Sequence, residues 1–522
     1  MRFRYVLYVL FVFIMLRCAR IGQPTGGEKD ITPPKLLKSI PDSAQTGFDQ
    51  NTIKLYFDEY VVIKNPQKNI LISPPPEEMP QITPAGFASK VFEIKFDKAL
   101  QKNTTYLINF GESIADYNEG NKLNNLQLVF STGSFIDTLQ LEGKIIPVYM
   151  DKKPEKILVG LYPLHDFNDS VIFKHKPYYV TVADKQGNFK LKHLKAGSYK
   201  IIALGDQNGD YKYKQDDESI GFVNHSIEIP KDTPVQLYLF KEFGRFEIKD
   251  ILQKSKNHIV IDIKGDKDSL VVTPLMALSK SFGYFEDHKY HFWYQSVADS
   301  IKFQIKLGNK QKIYRRKRIE KSDSLILQIF RQKLAPIDSL IITANMPLMY
   351  CDASFVRLKK DSLPVDFKCI TTSEHRVFMD FDKEPGAIYH LQIFPNAVTG
   401  FNGSKNKDTI QSTIMINKNE AYGNLHLQLD GKLPTTPVFV ELLQKNRVVR
   451  KSPASTDGKF DFLYVTPGKY TIRFILDSNR NNRWDTGNYL NHRQPEKTYE
   501  PHIEIEVRAN WDLNQTLEWK NR

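Results

Sequence analysis

Two stretches of the sequence hold the residue types that bind a hard cation. In the first, Asp206, Asn208, Asp210 and Asp217 offer side-chain oxygens, and the first three alternate as donors do in calcium loops. The second stretch, residues 477–488, reads DSNRNNRWDTGN and repeats the alternation. Carboxylate and amide oxygens are the ligands that calcium prefers. Calcium is therefore the one cofactor that the sequence suggests, and no other cofactor is expected.

Both stretches also depart from a calcium loop. An EF-hand loop needs glycine at its sixth position for a sharp turn, but Tyr211 stands there in the first stretch and Asn482 in the second. Two arginines add positive charge to the second stretch. The alternative is structural, because Asp and Asn side chains accept hydrogen bonds from nearby backbone N–H groups and form Asx turns. In that interpretation Tyr213 and Trp484 pack the turns onto their domains.

No catalytic motif accompanies these oxygens. The sequence contains no H-E-x-x-H, no G-x-S-x-G, no phosphate-binding loop and no C-x-x-C pair. Its 12 histidines are scattered, and no zinc-finger, RNP or recognition-helix pattern indicates nucleic-acid binding. We therefore expect a protein that is not an enzyme and has no nucleic-acid partner. An enzyme with an unrecognised site remains as an alternative.

The first of three cysteines, Cys18, lies directly after an apolar run. Arginines precede the run, which extends from Tyr5 to Leu16 and has the length of a signal-peptide h-region rather than of a membrane span. A cysteine in this place resembles a bacterial lipoprotein signal, although Arg17 stands where such signals have a small residue. We expect residues 1–17 to be removed and Cys18 to carry a lipid anchor.

The other two cysteines, Cys351 and Cys369, lie 18 residues apart. Export would place them in an oxidising compartment, where a disulfide can form. Two buried free thiols are the alternative, because the Cα separation decides whether the two residues can be bridged.

Two further stretches could bind a partner. SFGYFEDHKYHFWYQ (281–295) predicts a hairpin in which aromatic side chains share one face: Tyr284, Tyr290, Phe292 and Tyr294. Exposed aromatics would suit sugar stacking or a protein partner, whereas a sandwich core gives the same pattern. KQKIYRRKRIEK (310–321) holds seven cations in a chain of net charge +13. It would either touch anionic lipid or glycan, or form a charged sheet edge that resists aggregation.

The elements that position these residues read as β-strands. NTIKLYFDEYVVI alternates around Ile53, Leu55 and Phe57, and clusters of Gly, Pro, Asn and Asp separate many short runs of this kind. The 33 Phe and 25 Tyr favour strands over helices. At 522 residues, the chain is long enough for several domains.

An internal repeat contains both acidic stretches. DKQGNFKLKHLKAGSYKIIALGDQNGDYKY, from Asp184, aligns without a gap to STDGKFDFLYVTPGKYTIRFILDSNRNNRW, from Ser455. The match includes turn glycines, core aromatics and the Asx positions. A fainter similarity relates residues 95–110 to residues 380–394. The order along the chain is therefore A–B, a spacer, and A′–B′.

Both kinds of module resemble known families. TPPKLLKSIPDSAQTGFDQ, with FDE at 57–59 and NTTY at 103–106, resembles the SbsA-type bacterial Ig-like domain. The repeated D-G-x-F-x-F-x-x-L-x-x-G-x-Y-x-I hairpin resembles carboxypeptidase-regulatory-like or Cna-B-like modules of the prealbumin fold. With its CARIGQPTGGEKD start, the chain resembles the Ig-like-domain lipoproteins of Gram-negative bacteria. This resemblance implies an exported protein anchored in a membrane of the cell envelope. The outer membrane is the membrane that we expect.

We predict an all-β fold, a multi-domain string of β-sandwiches after a signal peptide. The predicted segments are a signal peptide (1–17), a tether (18–32), an Ig-like sandwich (33–133), a prealbumin-like sandwich (134–240), a β-rich spacer (241–330), a second Ig-like sandwich (331–418) and a second prealbumin-like sandwich (419–522). The predicted function is a non-enzymatic envelope lipoprotein that presents these modules for binding or structural roles. The predicted partners are the membrane, through the lipid, and envelope glycans or proteins. A carbohydrate-binding or adhesive surface protein is the alternative.

Overall fold

The computed structural model describes residues 30–519 except 151, 232, 245–246, 266, 268–269, 309, 318 and 372–374. The predicted signal peptide, Cys18 and nearly all of the predicted tether lie outside the described residues. Within them, 42 strands accompany two one-turn α-helices, α1 (Pro66–Asn69) and α2 (Val171–Lys174). Short 3-10 turns cover Leu164–Asp166, Ala353–Phe355 and Asn419–Ala421. The predicted all-β fold is confirmed, and its sheets and cores fall into five groups along the chain, called modules 1 to 5 below.

Module 1 is a sandwich of two sheets. Its strands are β1 (Leu36–Ile40), β2 (Thr52–Ile63), β3 (Leu71–Ser73), β4 (Gln81–Thr83), β5 (Ser89–Lys95), β6 (Thr105–Asn109), β7 (Ile114–Asp116) and β8 (Gln127–Ser131). One sheet has the order β1-β2-β5-β4 with β7 on β2, and the other has the order β3-β6-β8. Ile53, Leu55 and Phe57 are buried between the sheets, as their alternation predicts.

Module 2 has eight strands in one continuous order. They are β9 (Leu139–Pro147), β10 (Leu158–Pro163), β11 (Tyr179–Val182), β12 (Asn188–Leu194), β13 (Gly197–Leu204), β14 (Ser219–Phe222), β15 (Ile227–Ile229) and β16 (Val235–Lys241). Their order is β11-β10-β13-β14-β16-β9-β12, with β15 on β13. β9 and β16 pair in parallel, and the other pairs are antiparallel.

Module 3 is a smaller sandwich of two antiparallel sheets. Its strands are β17 (Glu247–Ser255), β18 (His258–Lys264), β19 (Leu270–Pro274), β20 (Lys280–Glu286), β21 (Lys289–Gln295), β22 (Ser300–Leu307) and β23 (Lys310–Lys317). The sheets are β17-β18-β21-β20 and β19-β22-β23, so the cationic strand β23 lies at a sheet edge.

Module 4 repeats the strand pairing of module 1. Its strands are β24 (Leu327–Ile329), β25 (Lys333–Leu334), β26 (Leu340–Ala344), β27 (Leu348–Cys351), β28 (Val356–Lys360), β29 (Leu363–Pro364), β30 (Phe367–Thr371), β31 (Arg376–Phe381), β32 (Ile388–Ile393), β33 (Val398–Gly400) and β34 (Ile410–Ile416). The order β24-β26-β31-β30 corresponds to β1-β2-β5-β4, and β34-β32-β28 corresponds to β8-β6-β3.

Module 5 matches module 2 strand for strand. Its strands are β35 (Gly423–Asp430), β36 (Val438–Gln444), β37 (Arg447–Lys451), β38 (Lys459–Val465), β39 (Gly468–Leu476), β40 (Thr498–Tyr499), β41 (Ile505–Val507) and β42 (Asp512–Glu518). The orders β38-β35-β42 and β37-β36-β39-β40, with β41 on β39, repeat the pairing of β9 to β16, including the parallel pair. The exception is the β14–β16 pair, which has no counterpart in module 5. Gly187 and Gly458, aligned in the repeat, both have positive φ, 85° and 74°.

The modules contact one another both in chain order and out of it. Trp293 of module 3 is buried in the core of module 4, and Leu71 of module 1 packs against Leu158 and Val180 of module 2. Module 5 returns to module 2, where Tyr489 joins a core cluster of that module. Modules 2 and 5, which are distant in the sequence, are therefore in direct contact.

Candidate functional site

The first acidic stretch is an Asx turn in the connection between β13 and β14, residues 205–218, called loop 1. The Asp206 carboxylate accepts the N–H groups of Gly209 (2.7 Å) and Tyr211 (3.1 Å). Asp210 accepts the N–H of Lys212 and forms an ion pair with Lys214 (2.9 Å). These oxygens are thus engaged by local donors.

The structure does not assemble the predicted calcium ligands. Asn208 Oδ1 accepts the N–H of Asp210, and Asp217 is exposed. In the described part of the chain, no group of three or more His, Cys, Asp or Glu side chains is placed to hold a metal ion. Asp206, Asn208 and Asp210 therefore act as turn residues here, because backbone N–H groups donate to their side-chain oxygens.

The second acidic stretch, in the connection between β39 and β40 (residues 477–497, loop 2), is built in the same way. The Asp477 carboxylate accepts the N–H groups of Asn481 (3.0 Å) and Asn482 (2.8 Å). At the far end of loop 2, Glu496 accepts the N–H groups of Ser478 (2.7 Å) and Asp485 (3.1 Å). Two buried carboxylates thus fix the loop from both ends.

The equivalent residue at the end of loop 1 is Glu218. It accepts the N–H groups of Gln207 (3.3 Å) and Lys214 (3.0 Å). Burial raises the pKa of Glu218, while these two donors oppose the rise. The paired Asp and Glu carboxylates are therefore a common design of the two loops.

The aromatic residues that follow the turns go to different places. Tyr213 packs in a core cluster of its own module and donates its hydroxyl to Glu242 (2.6 Å). Trp484, its repeat equivalent, stacks on Tyr149 of module 2, with ring centroids 4.4 Å apart and an angle of 9°. The expected packing within one module is therefore correct for Tyr213, whereas Trp484 spans two modules.

Loop 2 inserts Tyr489 into module 2. The ring of Tyr489, 3% exposed, packs edge-on against Phe222, with centroids 5.2 Å apart. Its backbone N–H donates to Glu242 Oε1 (2.5 Å). Glu242 is 4% exposed. It serves both loops, because its other carboxylate oxygen accepts a hydrogen bond from the Tyr213 hydroxyl. Burial raises the pKa of Glu242, and the two donors partly offset that effect.

A buried ion cluster forms the second half of the contact between modules 2 and 5. This cluster and the Tyr489 region are together called the docking interface. Glu441 is fully buried and accepts hydrogen bonds from Lys451 (2.9 Å) and from the Tyr149 hydroxyl (3.0 Å). The Arg473 guanidinium lies 4.4 Å from the Tyr149 ring centroid and 3.4 Å from Glu441. Burial and Glu441 raise the pKa of Tyr149 to about 12. The lone acid in the apolar strand VFVELLQ was a signal for this cluster.

The aromatic hairpin forms as β20 and β21, but it is not a binding platform. Phe292 and Tyr294 are buried in the core of module 3, and Tyr290 packs against that core. Tyr284 pairs with His291 and therefore projects from the other face of the hairpin. There it packs against the core of module 4. The prediction that the four rings share one face is therefore wrong for Tyr284. For Tyr290, Phe292 and Tyr294 the sandwich-core alternative describes this structure.

Cys351 and Cys369 lie next to each other as free thiols. They stand on β27 and β30, and both side chains are half-buried. The hydrogen bond from Cys351 to the sulfur of Cys369, together with burial, raises the pKa of the Cys351 thiol. Of the two alternatives that the sequence left open, a disulfide and two free thiols, this structure has the free thiols.

The cationic stretch forms an open sheet face. Residues 247–317 hold 14 Lys and Arg against 8 Asp and Glu, a net charge of +6. Strand pairing places Lys302 opposite Arg315 and Ser300 opposite Lys317, so these cations share the outer face of module 3 with the exposed Ile313. Within the described residues none of the three forms an ion pair, and their charge is open to anionic partners.

A cleft of about 820 Å³ lies between modules 1 and 2. Its walls include Pro74, Glu77, Phe167, His175 and Lys176. Lys176 donates to the carbonyl oxygens of Pro76 (2.8 Å) and Glu77 (2.7 Å) and so joins the two modules across the cleft floor. The cleft thus follows the boundary between modules 1 and 2, and Lys176 helps to hold these two modules together.

Comparisons with known proteins concern the fold. No curated protein matches the chain. Similar solved structures include the S-layer protein SbsC (9% identity, 93% of this chain and 68% of that chain, TM-score 0.15) and BcpA, the major pilin subunit of Bacillus cereus (8%, 73% and 99%, 0.15). Another is the Bacteroides ovatus protein SGBP-B in complex with a mixed-linkage heptasaccharide (9%, 64% and 88%, 0.19). At these values the likenesses carry no argument about function.

In the described residues, no helix has the length and apolar character needed to cross a membrane.

One comparison concerns a single module. Residues 30–132 match the family described as bacterial Ig-like domain, and they coincide with module 1. The finer SbsA-type assignment stays a prediction, and the first module is, by this match, similar to bacterial Ig-like domains.

Proposed function

We propose that the protein is an exported, lipid-anchored and non-catalytic component of the cell envelope. Its modules are held together as one body, and their outer surfaces are presented for binding. The observation that carries this proposal is the docking interface, in which Glu242 of module 2 receives donors from both repeat loops. A string of independent modules would leave Tyr489 and Trp484 in water, at the cost of their buried area.

A lipid anchor at Cys18 fits the distance to the first module. Eleven residues lie between Cys18 and Asp30, the first described residue, and the twelve residue-to-residue steps span about 40 Å when the chain is extended. Acylation of a lipoprotein cysteine supplies several chains, which meets the requirement of more than one signal for stable anchoring. The anchored protein would thus stay within reach of the membrane surface.

The cationic face of module 3 supports an anionic partner in the envelope. Lys302, Arg315 and Lys317 point outward from a flat sheet, beside the exposed Ile313. Interactions of this kind weaken as salt screens them over about 10 Å at 0.1 M. Lipid headgroups and anionic envelope glycans both offer the matching charge.

Metabolic labelling with a fatty-acid probe in a Gram-negative bacterial host tests the anchor. We expect the parent chain and a Cys369→Ser control to take up the label and to fractionate with membranes. The Cys18→Ser variant should do neither. Label retained by Cys18→Ser, or a parent chain without label, would refute the lipid-anchored part of the proposal.

A further inference from the structure

Two exposed tyrosines lie side by side at the end of module 1 where the chain enters. Tyr60 on β2 is 58% exposed, and Tyr117, just after β7, is 63% exposed. The Tyr117 N–H donates to the Tyr60 carbonyl oxygen (2.9 Å), next to the paired residues Val61 and Asp116. Because directly opposed residues of antiparallel strands project to the same side, both rings line one cleft, and they are together called the aromatic surface.

A large bulge in β2 aims Tyr60 outward. Tyr56 pairs with Val91 and Val61 pairs with Ser89, so five steps along β2 oppose two along β5. The Lys90 ammonium group donates to the carbonyl oxygen of Asp58 inside the bulge (2.9 Å) and lies 5.5 Å from the Tyr60 ring centroid. Bulges of this kind re-aim side chains and are frequent beside functional sites.

The loop that carries Tyr117 is fixed as firmly. Asp116, only 1% exposed, accepts the N–H groups of Glu119 (2.6 Å), Gly120 (2.9 Å) and Asn121 (2.7 Å). Since the loop is held before any ligand arrives, little conformational entropy remains to be lost on binding. The aromatic surface is therefore preformed.

Polar groups surround the two rings in a shallow cleft of about 430 Å³. Besides the tyrosines, its walls are formed by Glu59, Ala88, Lys90 and Asn118. A carboxylate, an amide and an ammonium group at the rim of a flat aromatic surface match a sugar ring, which has an apolar C–H face and hydroxyl groups around its edge. The volume is in the range of small-ligand sites.

We propose that this cleft, the Tyr60–Tyr117 site, binds a neutral oligosaccharide by stacking one sugar ring on the tyrosines. Glu59 and Asn118 would accept and donate hydrogen bonds at the sugar hydroxyls. Neutral sugars fit better than acidic ones, because Asp58, Asp116 and Glu119 surround Glu59 with negative charge. Consistent with this, the pKa of Glu59 is raised, first by burial and then by Asp116 and Asp58.

The proposal deepens the presenting function proposed above, because it names a ligand class for one exposed surface. It does not depend on lipid anchoring. Binding is therefore measured on the full chain purified in detergent, and the fatty-acid labelling experiment can fail while this one succeeds.

The test screens the full chain on an array of neutral oligosaccharides, followed by titration calorimetry with the strongest binder. We expect Tyr60→Ala and Tyr117→Ala each to weaken binding about tenfold, which is about 1.4 kcal/mol. Tyr60→Phe should keep most of the affinity, because stacking needs the ring. Tyr350→Ala on module 4 is the matched control, since Tyr350 is also 58% exposed.

The outcomes separate cleanly. Selective loss in the two alanine variants, with normal binding by Tyr350→Ala and unchanged melting temperatures, supports the site. Absence of binding to every neutral sugar overturns the proposal, as does equal binding by the parent and both alanine variants. Capture of a peptide at the same tyrosines without any glycan also overturns it.

Discussion

Loop 1 and loop 2 begin with the same chemistry and end with different partners. In each, an Asp carboxylate at the start and a Glu carboxylate at the end accept two backbone N–H groups apiece. Loop 1 has 14 residues between its flanking strands, and loop 2 has 21. The extra length of loop 2 carries Tyr489 to another module, whereas Tyr213 of loop 1 stays on its own.

The two loops show that a duplicated turn can be kept while the surface that it contacts changes. Loop 1 also reaches a neighbour, since Tyr211 packs with Leu71 of module 1. Both loops therefore join modules, but loop 2 is the one that joins the two copies of the repeat. Glu242 is the point where they meet.

The largest expected effect comes from the ring that crosses the docking interface. Tyr489→Ala should destabilise the protein by about 3–5 kcal/mol, because it removes a buried aromatic ring and leaves a cavity. In scanning calorimetry we expect module 5 to melt earlier than module 2. Tyr350→Ala, which removes an exposed ring, should change the melting by less than about 0.5 kcal/mol. A Tyr489→Ala protein that melts like this control would contradict the docking.

Replacing the aspartate that begins each loop should destabilise the protein by similar amounts but should have different consequences for module 2. Asp477→Ala and Asp206→Ala each remove a buried carboxylate that accepts two backbone N–H groups, at a cost of about 1–3 kcal/mol. Only Asp477→Ala should also increase hydrogen exchange in α2 and β14 of module 2, which loop 2 covers. The Asn variants retain one oxygen and serve as matched controls. Equal exchange in module 2 for both alanine variants would remove the distinction between the loops.

A smaller effect is expected at the shared acceptor. Glu242→Gln keeps one oxygen for the Tyr489 N–H, and its amide can donate to the Tyr213 hydroxyl, so the loss should be about 1 kcal/mol. Because burial raises the pKa of Glu242 above its ordinary value of 4.5, the folded state binds the proton more tightly than the unfolded state.

The pH dependence follows from that sign. The contribution of Glu242 to stability is complete below pH 4.5 and is lost as pH rises through its folded pKa. Glu242→Gln should therefore gain stability relative to the parent as pH rises from 4 to 7, measured by denaturant unfolding at each pH. A difference between variant and parent that is constant over this range would argue against a proton on Glu242.

The smallest expected effect is that of calcium. EGTA should leave the melting temperature unchanged, because the oxygens of Asp206 and Asp477 already accept backbone N–H groups. A cation present at 100 times its Kd would add about 2.7 kcal/mol, which a melting curve detects easily. A drop of several degrees in EGTA would restore the calcium interpretation for one or both loops.

Much of the fold could be predicted from local patterns. Alternation placed Ile53, Leu55 and Phe57 inside module 1, and the gapless repeat anticipated the strand-for-strand identity of modules 2 and 5. These features depend on side-chain periodicity and on turn chemistry, which a sequence carries directly.

The contacts between modules could not be predicted in this way. The alternation in β21 is correct, but nothing in it reveals that module 4 covers the second face of the hairpin and buries Trp293. Likewise, Tyr489 lies beyond the end of the gapless alignment, so the repeat gave no indication of its role. Tyr60 is exposed because a bulge interrupts the alternation, and the pattern alone predicts a regular strand there.

The central claim is that loop 2 docks module 5 onto module 2. Hydrogen–deuterium exchange of the full chain tests it most directly, because the Tyr489 N–H belongs to no strand and is protected only by Glu242. We predict that a peptide covering residues 486–492 exchanges as slowly as strand β16 and becomes fast in Tyr489→Ala. Exchange of this peptide in the parent as fast as that of an exposed loop would contradict the account.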